Sequence, residues 1–454
     1  MDYSAIHAKQ RAYFQTGATR SREARMDALK KLRSALKEHA GALEEALRTD
    51  LNKQPMESAM CETGVVSAEL RYAMRHLKGW MREKRTAAPL YDFPAHGLIS
   101  PEPLGQVLII SPWNYPVQLC LVPLIGAIAA GNCAVIKPSV KAPETARALK
   151  AMLESIYPEE FVCVVEGSRE ETAGLLELKW DHIFFTGSQT GGRQILAAAA
   201  RHLTPVTLEL GGKSPVIVDS TANIKRAARR IAFGKALNAG QTCVAPDYLL
   251  IHADVKDAFI AEYQKAVKKF FPKSRYQNMV SIISDEHFLR LAGYMEGAQL
   301  ASGGETEPEQ RRIQPTLIDA PAPDAPILRE EVFGPLLPML TWTELDWCID
   351  YINAREKPLA LYLFTGDKAV QRQVLDRCAF GGGCLNDTIV HAAGERLPFG
   401  GVGASGMGSY HGKKSFDTFT HYRSILSRGT WADPSLRYFP YGKLKALLVR
   451  LFLK

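Results

Sequence analysis

Residues 107–137 read VLIISPWNYPVQLCLVPLIGAIAAGNCAVIK, and the interpretation of these thirty-one positions decides the fold. As one apolar run they would suit a membrane span, but Pro112, Pro116 and Pro123 interrupt it, and Asn114 and Gln118 lie inside it. Prolines and polar side chains at that spacing read instead as strand, loop, helix and strand buried in protein. No transmembrane helix is expected. Further along, the strand-like runs CAVIK (133–137), FVCVV (161–165) and HIFF (182–185) alternate with helical segments such as PETARALKAMLESI (143–156). Such alternation implies βαβ units and a parallel sheet with helices on both faces, a doubly wound nucleotide-type unit in the α/β class.

The first ninety residues look helical, with Met26, Leu29, Leu32 and Leu36 three or four apart. After residue 206 the pattern restarts with VTLEL, PVIV (215–218), a helix around 223–236, YLLIH (248–252) and a helix over 254–271, which predicts a second α/β domain over 207–395. Residues 302–327 read as surface loop, and 394–408 hold six glycines in fifteen positions, too many for a regular element. A length of 454 residues fits about three domains, or two large ones.

Composition excludes several classes. With 46% hydrophobic and 23% charged residues, the chain is neither disordered nor collagen-like. Its eight cysteines form no C-x-x-C pair and accompany no H-E-x-x-H, so neither a zinc site nor a disulfide framework is suggested. MDYSAIHAKQ lacks a basic region followed by an apolar one, so a cytoplasmic protein is expected. The net charge is +8, of which Arg437, Lys443, Lys445, Arg450 and Lys454 carry five near one end with no acid among residues 437–454. A broad basic face is not suggested, and no nucleic-acid partner is expected.

Three segments carry chemistry. Gly240-Gln241-Thr242-Cys243 places a thiol at a turn between helix and strand, where backbone N–H groups or a bound cation favour a thiolate nucleophile. Glu209 in LELGGKSP sits at a strand end before two glycines, either an ordinary surface glutamate or the base that a thioester would need to activate water. Asn114 in SPWNYP lies at the carboxyl end of a strand, where its amide either donates to an oxyanion or shapes a turn beside proline. The turn Gly187-Ser188-Gln189-Thr190-Gly191-Gly192 follows HIFFT and opens a helix, a place for a pyrophosphate, although it is not the G-x-G-x-x-G fingerprint. Lys137 ends the strand CAVIK, either a hydroxyl or phosphate binder or an ordinary solvated lysine.

Together SPWNYP, IKPS, FTGS, LELGGKSP, NAGQTCVAPDY, EEVFGP and LPFGGVGASGMG resemble the aldehyde dehydrogenase superfamily, in the family's order and over about residues 10–430. NAGQTCVAPDY looks most like the class 3 group of fatty and aromatic aldehyde dehydrogenases. The resemblance implies Cys243 as nucleophile, Glu209 as base and Asn114 with the Cys243 N–H as oxyanion hole. It also implies an NAD or NADP site in which Lys137 and Glu331 hold the riboses, Gly187, Ser188, Gly191 and Gly192 approach the pyrophosphate, and Trp113 and Phe333 flank the cofactor. By the same resemblance Tyr115, Tyr410 and His411 either line the aldehyde tunnel or serve only as packing residues.

By the same resemblance, residues 1–84 and 103–206 form the cofactor domain, and 85–102 with 396–430 form a β element that bridges a homodimer. The implied reaction is NAD(P)-dependent oxidation of medium- or long-chain aliphatic or aromatic aldehydes, through a thiohemiacetal and a thioester, with no metal. One departure stands out: many relatives carry glutamate three residues beyond the IKPS lysine, and here that residue is Val140 beside Lys141. An acid at such a position repels the 2′-phosphate of NADP, so its loss leaves both cofactors open. A cofactor-free thiol esterase and a non-catalytic structural role are the rivals. Transfer to coenzyme A would not need Glu209.

The tail 431–454 stands apart. Leu444, Leu447, Leu448, Leu451 and Phe452 fall on one helical stripe flanked by lysine and arginine, which fits either an anionic membrane surface or packing against a dimer partner.

Overall fold

The apolar runs become strands because β-branched and aromatic side chains, buried on both faces of a parallel sheet, fill the space under flanking helices. The computed structural model describes residues 2–89, 92–272, 276, 278–433 and 435–452. Its first sheet has six strands in the order Gly406–Met407, Val206–Leu210, His182–Gly187, Gln106–Ile110, Cys133–Lys137 and Val162–Val164. All neighbours are parallel except the Gly406–Met407 edge. The chain starts at Gln106–Ile110, winds outward on one side, then returns to wind outward on the other. Carboxyl ends of strands at such a reversal leave a crevice, here between Ile110 and Gly187.

The second sheet has seven strands, ordered Leu300–Ser302, Thr316–Asp319, Leu336–Trp342, Tyr248–His252, Pro215–Val218, Ala360–Phe364 and Gly382–Leu385, with only the first antiparallel. A third, antiparallel sheet joins Lys84–Ala87, Ala95–Pro103 and Thr420–Arg428. This is the α/β architecture expected, with a small β element beside two doubly wound sheets.

The decisive segment resolves as read. Pro116–Ala130 is a helix with proline at its first turn and Gly131 at its C-cap, buried on every side, which explains why it is apolar all round. Among the described residues no helix is long and apolar enough to cross a membrane.

Two placements differ from expectation. Val206–Leu210 does not open the second unit; it pairs with His182–Gly187 in the first sheet, because chain alternation alone does not say which sheet a strand joins. Residues 302–327 are not loop throughout: Thr306–Glu307 and Arg312–Ile313 form a hairpin, and Thr316–Asp319 is an inner strand of the second sheet. In the tail, the helix covers Lys443–Phe452, and Leu453 and Lys454 lie outside the described residues.

Candidate active site

Helix Ile224–Ala236 ends in three consecutive left-handed residues, Asn238 (φ 51°), Ala239 (φ 53°) and Gly240 (φ 70°), which turn the chain sharply toward Cys243. Left-handed non-glycine residues cost about 1–2 kcal/mol each and persist only where surroundings over-determine them. The surroundings here do so. Asn238 N–H donates to Glu57 Oε1 (2.7 Å), and its Nδ2 donates to Asn114 O and Gln241 O (both 3.0 Å). Gln241 Nε2 donates to Ser281 O (3.1 Å), while its Oε1 accepts from Ile283 N–H (3.0 Å). A Cβ on Gly240 would lie 2.2 Å from Gly334 O, so only glycine passes there.

The loop after Gln106–Ile110 docks on this turn. Asn114 Nδ2 donates to Gln241 O (3.0 Å), using one amide hydrogen and leaving the second. Behind it, Lys53 Nζ donates to Asn114 O (3.0 Å) and to Glu62 Oε1 (2.8 Å), and neither charged side chain has any exposed surface. The same ammonium lies 4.4 Å from the Tyr115 ring centroid, and Tyr115 Oη shares a 2.6 Å hydrogen bond with Thr242 Oγ1. Removing one partner of a buried ion pair typically costs about 3–5 kcal/mol, so this pair anchors both loops.

Two cavities meet at Cys243. The first, of about 810 Å³ counted to its open mouth, occupies the crevice at the strand reversal. Cys243, Asn114 and Glu209 line it together, with Trp113, Gly187, Ser188, Glu331 and Phe333 around them. Glu331 reaches the cleft because Lys213 ties its segment down: Lys213 Nζ donates to Asp247, Ile327 O (2.9 Å) and Glu330 O (2.7 Å), and Asp247 Oδ2 accepts from Val332 N–H (2.9 Å). Phe333, at φ 46°, meets Trp113 edge-on at 5.6 Å, and its carbonyl accepts from His287 Nε2 (2.8 Å).

The second cavity, about 740 Å³, is walled almost wholly by apolar groups from five remote segments, among them Met60, Leu119, Phe233, Val390 and Phe399. Tyr115 and Tyr410 line it as expected. His411 does not: it is buried behind Tyr410 with Nδ1 3.5 Å from Glu69 Oε2, a packing residue that sequence position alone could not separate from its neighbour.

Burial dominates the electrostatics. It pushes the Cys243 thiol up to about 12, reinforced by Glu331 and Glu209 and opposed by the N–H groups of Cys243 and Val244. Burial also holds the Glu209 carboxyl well above the carboxylate range, and neither of its oxygens has a hydrogen-bond partner among the described residues. Glu331 rises to about 8, through burial and then Asp247. Buried polar atoms normally find partners. Glu331 Oε1, Thr186 Oγ1 and Asn114 Oδ1 are likewise unpartnered, so the cleft offers acceptors and donors with nothing of the protein to satisfy them. Ser188 caps helix Gln189–Ala200 at its rim, and a Cβ on Gly211 would meet Glu331 Oε2 at 2.1 Å. A helix N-terminus, acidic acceptors and aromatic walls fit a dinucleotide.

Two groups expected to meet the cofactor are not among the residues lining this cleft. Gly191 and Gly192 lie within the first turn of helix Gln189–Ala200, where Gly192 packs against Leu210. Lys137 is not among the residues lining the cleft; its Nζ donates to Pro138 O (3.0 Å) and Gly167 O (2.7 Å). Sequence reasoning missed His287 and Arg290, which line the cleft, and the anchors Lys53, Glu62 and Lys213; the only signal was Lys213 inside LELGGKSP.

Comparison with known proteins agrees with this geometry. The chain matches the aldehyde dehydrogenase family over residues 1–425. It is 47% identical to a 4,4′-diaponeurosporen-aldehyde dehydrogenase of Staphylococcus aureus, covering 96% of both chains. Identity is 43% to the mouse aldehyde dehydrogenase family 3 member B1, covering 97% of this chain and 96% of the relative. A solved structure of Staphylococcus aureus AldH in a substrate-bound state superposes with a TM-score of 0.97 at 45% identity, covering 99% of both chains. Alike in sequence and in fold from end to end, the chain belongs to the aldehyde dehydrogenase family and is an oxidoreductase that converts aldehydes to carboxylic acids with NAD(P).

Proposed function

We propose that Cys243 is the nucleophile, Glu209 the base and Asn114 the oxyanion donor for oxidation of long apolar or aromatic aldehydes. The observation that carries this is the position of Cys243 between a polar cleft and an apolar tunnel. Cys243 Sγ adds to the aldehyde carbon, and the thiohemiacetal oxygen is held by the free Asn114 Nδ2 hydrogen and the Cys243 N–H. One such donor is typically worth about 10²–10³ in rate. When bound, NAD(P)⁺ supplies a cationic hydride acceptor beside the thiol. The acyl group then stays on Sγ as a thioester. Glu209 takes a proton from water, whose oxygen attacks the acyl carbon and releases the carboxylate.

Glu331 and Lys137 would hold the cofactor riboses, Trp113 and Phe333 would flank it, and Gly187, Ser188, Gly191 and Gly192 would approach its phosphates. The tunnel's apolar walls support a hydrophobic substrate, and the S. aureus relative is named for a diaponeurosporen-aldehyde. Val140, half exposed beyond Lys137, puts no acid at the adenosine end, so NADP should serve at least as well as NAD. Cys243→Ala should abolish NAD(P)H formation from any aldehyde; turnover retained in that variant refutes the assignment.

The same reading extends to assembly. The strand Thr420–Arg428 leaves a sheet edge with Tyr422, Ile425 and Leu426 exposed, which supports a homodimer joined there. Helix Lys443–Phe452, with Leu444, Leu447 and Leu451 exposed beside basic residues, supports peripheral contact with an anionic membrane. Sedimentation and flotation with anionic liposomes test these two points.

A further inference from the structure

Phe233 borders two spaces. One is the apolar tunnel that ends at Cys243; the other is a groove of about 800 Å³, open to solvent, lined by Arg226, Arg229, Arg230, Phe233 and Phe270. Arg226, Arg229, Arg230 and Phe233 stand at i, i+3, i+4 and i+7 of helix Ile224–Ala236, so they share one face that runs from the arginines to the tunnel. At 1.5 Å per residue, the arginines lie roughly 5–10 Å along the axis from Phe233.

No acidic residue occurs in this helix. Arg230 is engaged: Nη1 donates to Asn386 O, and Nε lies 3.7 Å from Asp387 Oδ2. The guanidinium groups of Arg226 and Arg229 have no hydrogen-bond or ion-pair partner among the described residues. Loop residues 386–390 connect the two spaces, since Asn386 and Asp387 hold Arg230 while Ile389 and Val390 wall the tunnel. Guanidinium presents paired donors matched to carboxylate or phosphate oxygens, and Phe233 and Phe270 give the groove an apolar side for a hydrocarbon chain.

We propose that this groove is an anion subsite continuous with the tunnel, taking aldehydes whose far end carries a carboxylate or phosphate. The inference rests on the reading of Cys243 and its tunnel as the aldehyde site. The aldehyde carbon reaches Cys243, the chain fills the apolar passage past Phe233, and the terminal anion rests between Arg226 and Arg229.

The test compares ω-oxo carboxylates of increasing chain length with their methyl esters, in wild type and in the double variant Arg226→Gln/Arg229→Gln. In wild type the ratio of kcat/KM, acid over ester, should rise to roughly tenfold at one best length and fall with ionic strength. The double variant should bring that ratio near one, through KM, and Arg→Lys replacements at both positions should restore part of it. A ratio of one at every length, or a ratio unchanged in the variant, overturns the subsite while leaving ester oxidation, and so the aldehyde reading, intact. Calorimetry with an unreactive long-chain α,ω-dicarboxylate reads the groove without turnover: binding weakened in the variant supports the proposal, and equal binding overturns it. If the variant slows only alkanals delivered in anionic phospholipid vesicles, the anion is a lipid headgroup and the small-molecule subsite is overturned.

Discussion

The two cavities that meet at Cys243 are built on different principles. The polar cleft is made at the carboxyl ends of parallel strands, from short turns held by hydrogen bonds to buried polar side chains such as Lys53, Asn114, Asn238 and Gln241. The apolar tunnel is made from side chains of segments as distant as Met60 and Tyr410, with Tyr115 bonded to Thr242 as the main polar tie. The cleft's unpartnered carboxyls are costly to bury and therefore speak for chemistry. The tunnel has few polar groups to satisfy and speaks only for shape and hydrophobicity. Reaction type should thus depend on the cleft, and substrate choice on the tunnel.

The sharpest break of this division is Glu209→Gln. It sits wholly on the cleft side, so steady turnover should fall by about 10²–10⁴, the usual worth of a general base, while the first acylation survives. Pre-steady-state NAD(P)H formation should show a full burst followed by slow turnover. A variant with full steady turnover would remove Glu209 from the reaction.

The next effect is in pH. With the thiol pushed up to about 12, the thiolate fraction of the cofactor-free enzyme should climb about tenfold per pH unit from pH 7 to 10. The rate of iodoacetamide alkylation at Cys243 should follow without a plateau, whereas an ordinary exposed cysteine levels off near about 8.5. A plateau below pH 9 would show that the dry cleft does not set the thiol's ionisation.

The smallest effect concerns the far end of the cofactor. Val140→Glu adds a charge in a half-exposed setting, where such interactions are worth about 0.2–1 kcal/mol. The ratio of kcat/KM for NADP to that for NAD should therefore fall by roughly 1.4- to fivefold, with aldehyde preference unmoved. A change in aldehyde preference instead would mean that the two cavities are not independent.

What the sequence makes legible follows the same division. Cys243, Glu209 and Asn114 lie in short motifs where a strand or helix end, a glycine and a reactive group are adjacent, so local reading finds them. The sheets were legible from alternation, except where membership depends on pairing, as with Val206–Leu210. The tunnel walls were not legible, because Met60, Phe233 and Val390 converge only in three dimensions. Lys53 was not either: by composition it is one lysine among many, and only Glu62 and the Asn114 carbonyl distinguish it from a solvated one. His411 shows the converse, a residue the sequence leaves open between tunnel and packing, which the structure places against Glu69.

The most direct measurement is the intact and peptide mass of Glu209→Gln after mixing with NAD(P)⁺ and a long-chain aldehyde. Accumulation of one acyl group on the peptide containing Cys243, released slowly as the carboxylate, is the expected result. An acyl group on another residue, or steady acid formation with none on Cys243, would contradict the assignment of the thiol where cleft and tunnel meet.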